Sequence, residues 1–142
     1  MIPTNQETVI AKAVLDHINQ WPDKPCSIRL ETMDKVPLYC SMSMQQLTGT
    51  KILKKYITGS YIGIWPFAVY VRISGADTSK RIDANRLLGC LAEWLESAEL
   101  PALGEKCIAE KIEMTGLPAV AATYEDGGVD YQAIFNLRYK HQ

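Results

Sequence analysis

Tyr61-Ile-Gly-Ile-Trp-Pro-Phe-Ala-Val-Tyr-Val-Arg-Ile73 is the stretch on which the reading turns. Its aromatic and β-branched residues suit a pleated surface, so it reads as one long strand. Gly63, Pro66 and Arg72 interrupt it, and it is too short to cross a bilayer. Pro66 removes a ladder hydrogen bond, which predicts an edge or a bulge at that point. Beyond Ser74-Gly75-Ala76-Asp77 the period changes. Ile82, Leu87, Leu88, Leu91, Ala92, Leu95 and Ala98 form a helical stripe, with Lys80, Arg81, Asp83, Arg86, Glu93 and Glu96 on the remaining surface. Cys90 lies beside that stripe and reads as a small core residue. The organising unit is a strand followed by a helix that lies back on its sheet.

Upstream, Thr4-Asn5-Gln6-Glu7 has the form of a capping box. Val9, Ile10, Ala13, Val14, Ile18 and Trp21 continue it as a helix that Pro22 terminates. His17 is expected to be a partly exposed helix residue. Cys26–Glu31 alternates as a short strand, and Leu38–Met44 as another, with Met42 and Met44 as core filler. Lys51–Ile57 predicts a strand that turns through Thr58-Gly59-Ser60 into the long one.

Downstream, Leu100–Gly104 is a helix exit, and Glu105–Thr115 and Leu117–Tyr124 read as strands. Glu125-Asp-Gly-Gly128 is a turn, since glycine accepts positive φ without steric cost. In the closing segment Tyr131, Ala133, Phe135, Leu137 and Tyr139 alternate with Gln132, Ile134, Asn136 and Arg138, the mark of a strand with one buried face. Strands fall in blocks and are not interleaved with helices. The prediction is one α+β domain over residues 1–142: a small, mostly antiparallel sheet carrying an N-terminal helix and a central amphipathic helix.

The chain of 142 residues, with a net charge of −1, is large enough for one real core and lacks the basic excess of a nucleic-acid coat. No charged-then-apolar leader opens it, which predicts a soluble cytoplasmic product. Cys26, Cys40, Cys90 and Cys107 are scattered, so neither a disulfide framework nor zinc-ligand spacing is visible. Phosphate loops, dinucleotide fingerprints and hydrolase elbows are missing. A nucleophilic pair of Cys40 or Cys107 with His17 or His141 would need tertiary chance. The carboxylate pairs Glu31/Asp34, Glu93/Glu96 and Glu125/Asp126 read as solvated surface. The expectation is no enzyme, no cofactor and no metal.

The succession of Leu53–Tyr56, Gly59-Ser60, the aromatic strand Trp65–Arg72, the helix end Ala92-Glu-Trp-Leu-Glu96 and Leu100-Pro-Ala-Leu-Gly104 resembles phage minor capsid proteins. Ile112-Glu-Met-Thr115, Gly116–Ala122 and the closing Tyr131–Tyr139 look like the same family's C-terminal hairpin. These proteins occur in phages and prophages of Gram-positive bacteria and are similar to lambda-like tail terminators. The resemblance runs from Glu31 to Lys140, with Gly63, Pro66 and Cys90 as departures. It implies a virion protein, assembled in the host cytoplasm, that closes into a hexameric ring, caps the tail tube and joins it to the head. Its partners would be itself, the tail-tube protein and head–tail connectors, with DNA only passing through a lumen.

A ring needs a head-to-tail interface, and such interfaces favour aromatic side chains with arginine nearby. Tyr56, Tyr61, Trp65 and Arg72 are candidates, together with the basic cluster Lys51, Lys54 and Lys55, and with Asp77 and Arg138. The loops Ser74–Ser79 and Tyr124–Asp130 are expected to meet the tail tube or connector. The competing reading is a small α+β ligand-binding or enzymatic domain, which would require a deep pocket with convergent polar groups.

Overall fold

Two strands of thirteen residues each, Tyr61–Ile73 and Val129–His141, pair antiparallel along their whole length, from Tyr61 opposite His141 to Ile73 opposite Val129. The computed structural model describes residues 5–31, 41–48, 52–74, 77–125 and 127–142. In chain order its elements are α1 (Gln6–Ile18), β1 (Ile28–Leu30), β2 (Ser41–Gln46), β3 (Ile52–Lys55), β4 (Tyr61–Ile73), α2 (Thr78–Ser97), β5 (Cys107–Met114), β6 (Ala119–Thr123) and β7 (Val129–His141). Their seven strands form one sheet in the order β1-β2-β4-β7-β5, with β3 also on β4 and β6 also on β7. Among the described residues only the β1–β2 pair is parallel. This is the α+β architecture expected, with a larger sheet. Among the described residues, no helix is long and apolar enough to cross a membrane.

The core follows from period two on the strands and period 3.6 on the helices. Trp65, Phe67, Val69 and Val71 of β4 and Tyr131, Ala133, Phe135, Leu137 and Tyr139 of β7 are buried on one face. Against that face pack Ile10, Val14 and Ile18 of α1 and Leu88, Leu91 and Leu95 of α2, in a single cluster. Phe67 stacks on Phe135 with ring centroids 5.3 Å apart, which ties the two central strands at mid-length. Met42 and Met44 are core residues as expected, but the alternating Ser41 and Ser43 are buried too.

Pro66 sits in unbroken register with Asn136, so the strand is not bulged there. Its carbonyl accepts from the Leu47 amide, 2.9 Å away. A residue's N and C=O point to the same side of a strand, so the missing N–H faces the interval where β2 ends and β3 begins. The edge is local. Gly59 at φ 92° and Gly127 at φ 87° make the two hairpin turns that were predicted.

Several expectations fail for identifiable reasons. Helix α1 is capped by Asn5, whose side chain accepts from the Thr8 amide, so the capping residue lies one position after Thr4, which is outside the described residues. On α2, Ile82 is exposed and Ala84 takes its place in the buried stripe, because Ile82 lies two residues before Ala84, roughly 200° around the helix. Cys90 is exposed, not core: it lies two residues after Leu88, roughly 200° around the helix. Ile108 is exposed because a bulge between Ala109 and Lys111 leaves Cys107, Ala109, Ile112 and Met114 facing inward.

His17 is the largest correction. It is buried, stacked on Trp94 of α2 at 5.0 Å, and its Nε2 has no hydrogen-bond partner among the described residues. Desolvation holds its pKa below the ordinary 6.5. The unfolded chain therefore binds a proton that the folded chain resists. Stability is complete above pH 6.5 and falls as the pH drops below that value, until the folded-state pKa is passed. The thermal midpoint of the wild type should decline between about pH 7.5 and about pH 5.5, and His17→Phe should flatten that slope. Equal slopes for the two proteins would refute the assignment.

Gly63 has a steric reason. A Cβ there would meet Cζ of Tyr139, its cross-strand partner, at 2.5 Å. The buried Tyr139 ring lies across the space that a side chain would occupy. Gly63→Ala should lower unfolding stability by about 1–3 kcal/mol, read as a reduced urea midpoint at constant slope.

Candidate functional site

With one sheet face closed by the helices, function is left to the open face and to the edges. The open face of β4 and β7 presents Ile64, Pro66, Tyr70, Gln132, Ile134 and Asn136, all half-buried by their neighbours on the sheet. Ala68 lies flush among them and is fully buried.

At one end of this face Arg72 and Asp130 oppose each other in register. Arg72 donates from Nε to Asp130 Oδ1 at 2.7 Å and from Nη2 to Oδ2 at 3.0 Å. Tyr124 joins them: its hydroxyl donates to Asp130 Oδ2 at 2.7 Å and accepts from Arg72 Nη2 at 2.9 Å. The guanidinium also lies 4.8 Å from the Tyr124 ring centroid. The hydrogen bond to Asp130 raises the Tyr124 pKa, because ionising the phenol would place two negative oxygens side by side. The same carboxylate raises the pKa of Arg72, which stays charged throughout.

Beside this knot runs an open trough of about 390 Å³, lined by Ser43, Gln45, Tyr70, Gln132 and the Arg72–Asp130 pair. Glu31 also lines it, but Arg72 and Asp130 satisfy each other, so their arrangement holds β4, β7 and the β6–β7 turn together. Asp130→Asn should remove the bidentate pair and lower stability by about 2 kcal/mol, measured by chemical denaturation. A change within about 0.5 kcal/mol would mean the pair is not structural.

The candidate residues do not gather in one place. Lys54, Lys55 and Tyr56 are exposed on β3 and its turn, with the Lys54 ammonium 5.2 Å from the Tyr56 ring centroid. Tyr61 closes the end of the sheet, stacked on His141 at 4.7 Å. Trp65 is buried in the core, which removes it from any surface: its parity on β4 turns it toward the helices. Arg138 is held by Glu110 at 2.9 Å. Asp77 is the N-cap of α2, accepting from the Lys80 amide at 2.9 Å. Lys51 lies outside the described residues.

The two loops shrink as well. Thr78 and Ser79 are already helix, Gly75 and Ala76 lie outside the described residues, and Val129 and Asp130 are buried in β7. Cys107 and His141 are cross-strand partners, but Cys107 is buried and His141 is engaged by the Tyr61 ring. Among the described residues no group of His, Cys, Asp and Glu is placed to hold a metal ion.

Apolar exposure at the edges was not legible beforehand. Leu53 is 56% and Ile57 106% exposed beside β3, and Leu117 is 88% and Val120 44% exposed beside β6. The available signal was Ala119-Val-Ala-Ala-Thr123, a strand without alternation, which has no obvious face to bury.

No protein-family model matches the chain, and no curated protein matches it in sequence. Among solved structures, it is similar to a chain in the virion of a native gene transfer agent particle, with a TM-score of 0.61. The likeness covers 92% of this chain and 97% of that one at 10% sequence identity. At that identity it is a likeness of fold.

Proposed function

We propose that this chain is a non-enzymatic virion subunit, a tail terminator or head–tail joining protein that closes into a ring, caps a tail tube and connects it to the head. The observation that carries the reading is the virion chain whose fold matches this one nearly end to end.

In this reading the protein acts by assembly. It binds further copies of itself, a tail-tube protein on one rim and a connector on the other, and DNA only passes through its lumen. Lys54, Lys55 and Tyr56 are available for contacts between subunits, whereas Arg72 and Arg138 brace the sheet. The turn from Tyr124 to Gly128 and the start of α2 at Asp77 are the rim contacts. Assembly takes place in the host cytoplasm and the product is part of the particle.

Light scattering across a concentration series, with and without magnesium, tests the self-assembly. The expected outcome is a species of about six times the 15.9 kDa subunit, or a concentration-driven climb toward it. A strict monomer at every concentration would refute a ring formed by the chain alone.

A further inference from the structure

Every open sheet must deal with its edges, because a row of unpaired N–H and C=O groups invites another strand. Here β1, β5, β3 and β6 each pair with the sheet on one side only. Two of these edges are blocked. The side chain of Asn19 bonds both the amide and the carbonyl of Ile28, at 2.9 Å each, on the side of β1 away from β2. On β5, Glu96 accepts from the Met114 amide at 3.1 Å, and Ala102 forms a bridge with Ile108. Among the described residues β3 and β6 carry no comparable plug; each is only bulged, between Ile52 and Lys54 and between Val120 and Ala122.

Exposed apolar side chains occur at the blocked edges too, Leu30 on β1 and Ile108 on β5, but the most exposed ones, Leu53, Ile57 and Leu117, stand beside the other two. Leu53 and Ile57 accompany β3, and Leu117 and Val120 accompany β6. The edges lie on opposite sides of the sheet, β3 beyond β4 and β6 beyond β7. Their charges differ in kind. Strand β3 carries Lys54 and Lys55 and no acid, while β6 is uncharged and leads into Glu125. Two β3 edges would repel each other, whereas β3 and the end of β6 attract.

We infer that the β3 edge of one copy adds to the β6 edge of the next, so that the sheet continues from subunit to subunit through a head-to-tail contact. The inference rests on the self-assembling reading above and supplies its interface. Edge addition draws affinity from main-chain hydrogen bonds and specificity from the alternating side chains. A contact between two different surfaces of one chain propagates, and it closes into a ring when the rotation permits.

Leu53→Glu and Val120→Glu disable one edge each at exposed positions. Circular dichroism and the thermal midpoint establish that both variants fold. Each variant alone should be monomeric. Mixed in equal amounts they should form a species of about twice 15.9 kDa that grows no further, because only one good β3 and one good β6 edge can meet.

As a second measurement that needs no disruption, Leu53→Cys subunits mixed with Val120→Cys subunits, both carrying Cys90→Ser, should yield a disulfide-linked heterodimer under mild oxidation. If the wild type assembles but either glutamate variant keeps its full mass, or the cysteine pair does not link, the edge contact is overturned while the ring reading stands. Failure of the glutamate mixture to give dimers would overturn it likewise. A wild type that never assembles overturns both.

Discussion

The pairing of β4 with β7 is the constraint from which the rest of the fold follows. Thirteen residues from each strand meet without a bulge, and every other strand except β1, which pairs with β2, attaches to one of these two. Because the register is unbroken, all odd positions of both strands fall on one face, and this face becomes the floor of the core. A slip of one residue between the strands would put Phe67 and Phe135 on opposite faces. Gly63 beneath Tyr139, and Arg72 opposite Asp130, fix the register near the two ends by shape and by charge.

The helices then have little freedom. Helix α2 returns over the floor from the end of β4 and buries Leu88, Leu91 and Leu95, while α1 reaches the same cluster through Ile10, Val14 and Ile18. The contact of His17 with Trp94 joins them where the helices approach. Such a contact places an ionisable ring in a site that favours its neutral form, and so makes the helix layer sensitive to acid. Asn19, immediately after α1, substitutes for a strand beside β1 and anchors the first strand to the first helix.

This distribution of blocked and open edges is what relates the fold to assembly. The edges differ in how they are blunted: side chains and a bridge occupy β1 and β5, whereas β3 and β6 carry bulges and, on β3, two lysines. Leaving β3 and β6 apolar and accessible carries an aggregation risk that a defined partner strand removes. The different charge at the two edges then selects one orientation over the other.

Much of this was legible in the sequence. The full extent of β4 was visible because its apolar run is bounded by turns, and the buried face of β7 because five odd positions alternate without error. Both hairpin turns were visible because glycine marks positive φ. These are local properties, set by covalent geometry and by period. What only the tertiary structure decided was which neighbour each residue would meet. Trp65 looks like an interface aromatic until the parity of β4 turns it inward, Cys90 looks like core until α2 is rotated onto the sheet, and His17 looks solvated until Trp94 arrives from about 77 residues away. The open edges belong to the same class, since an edge exists only once strands distant in sequence have been ordered into a sheet.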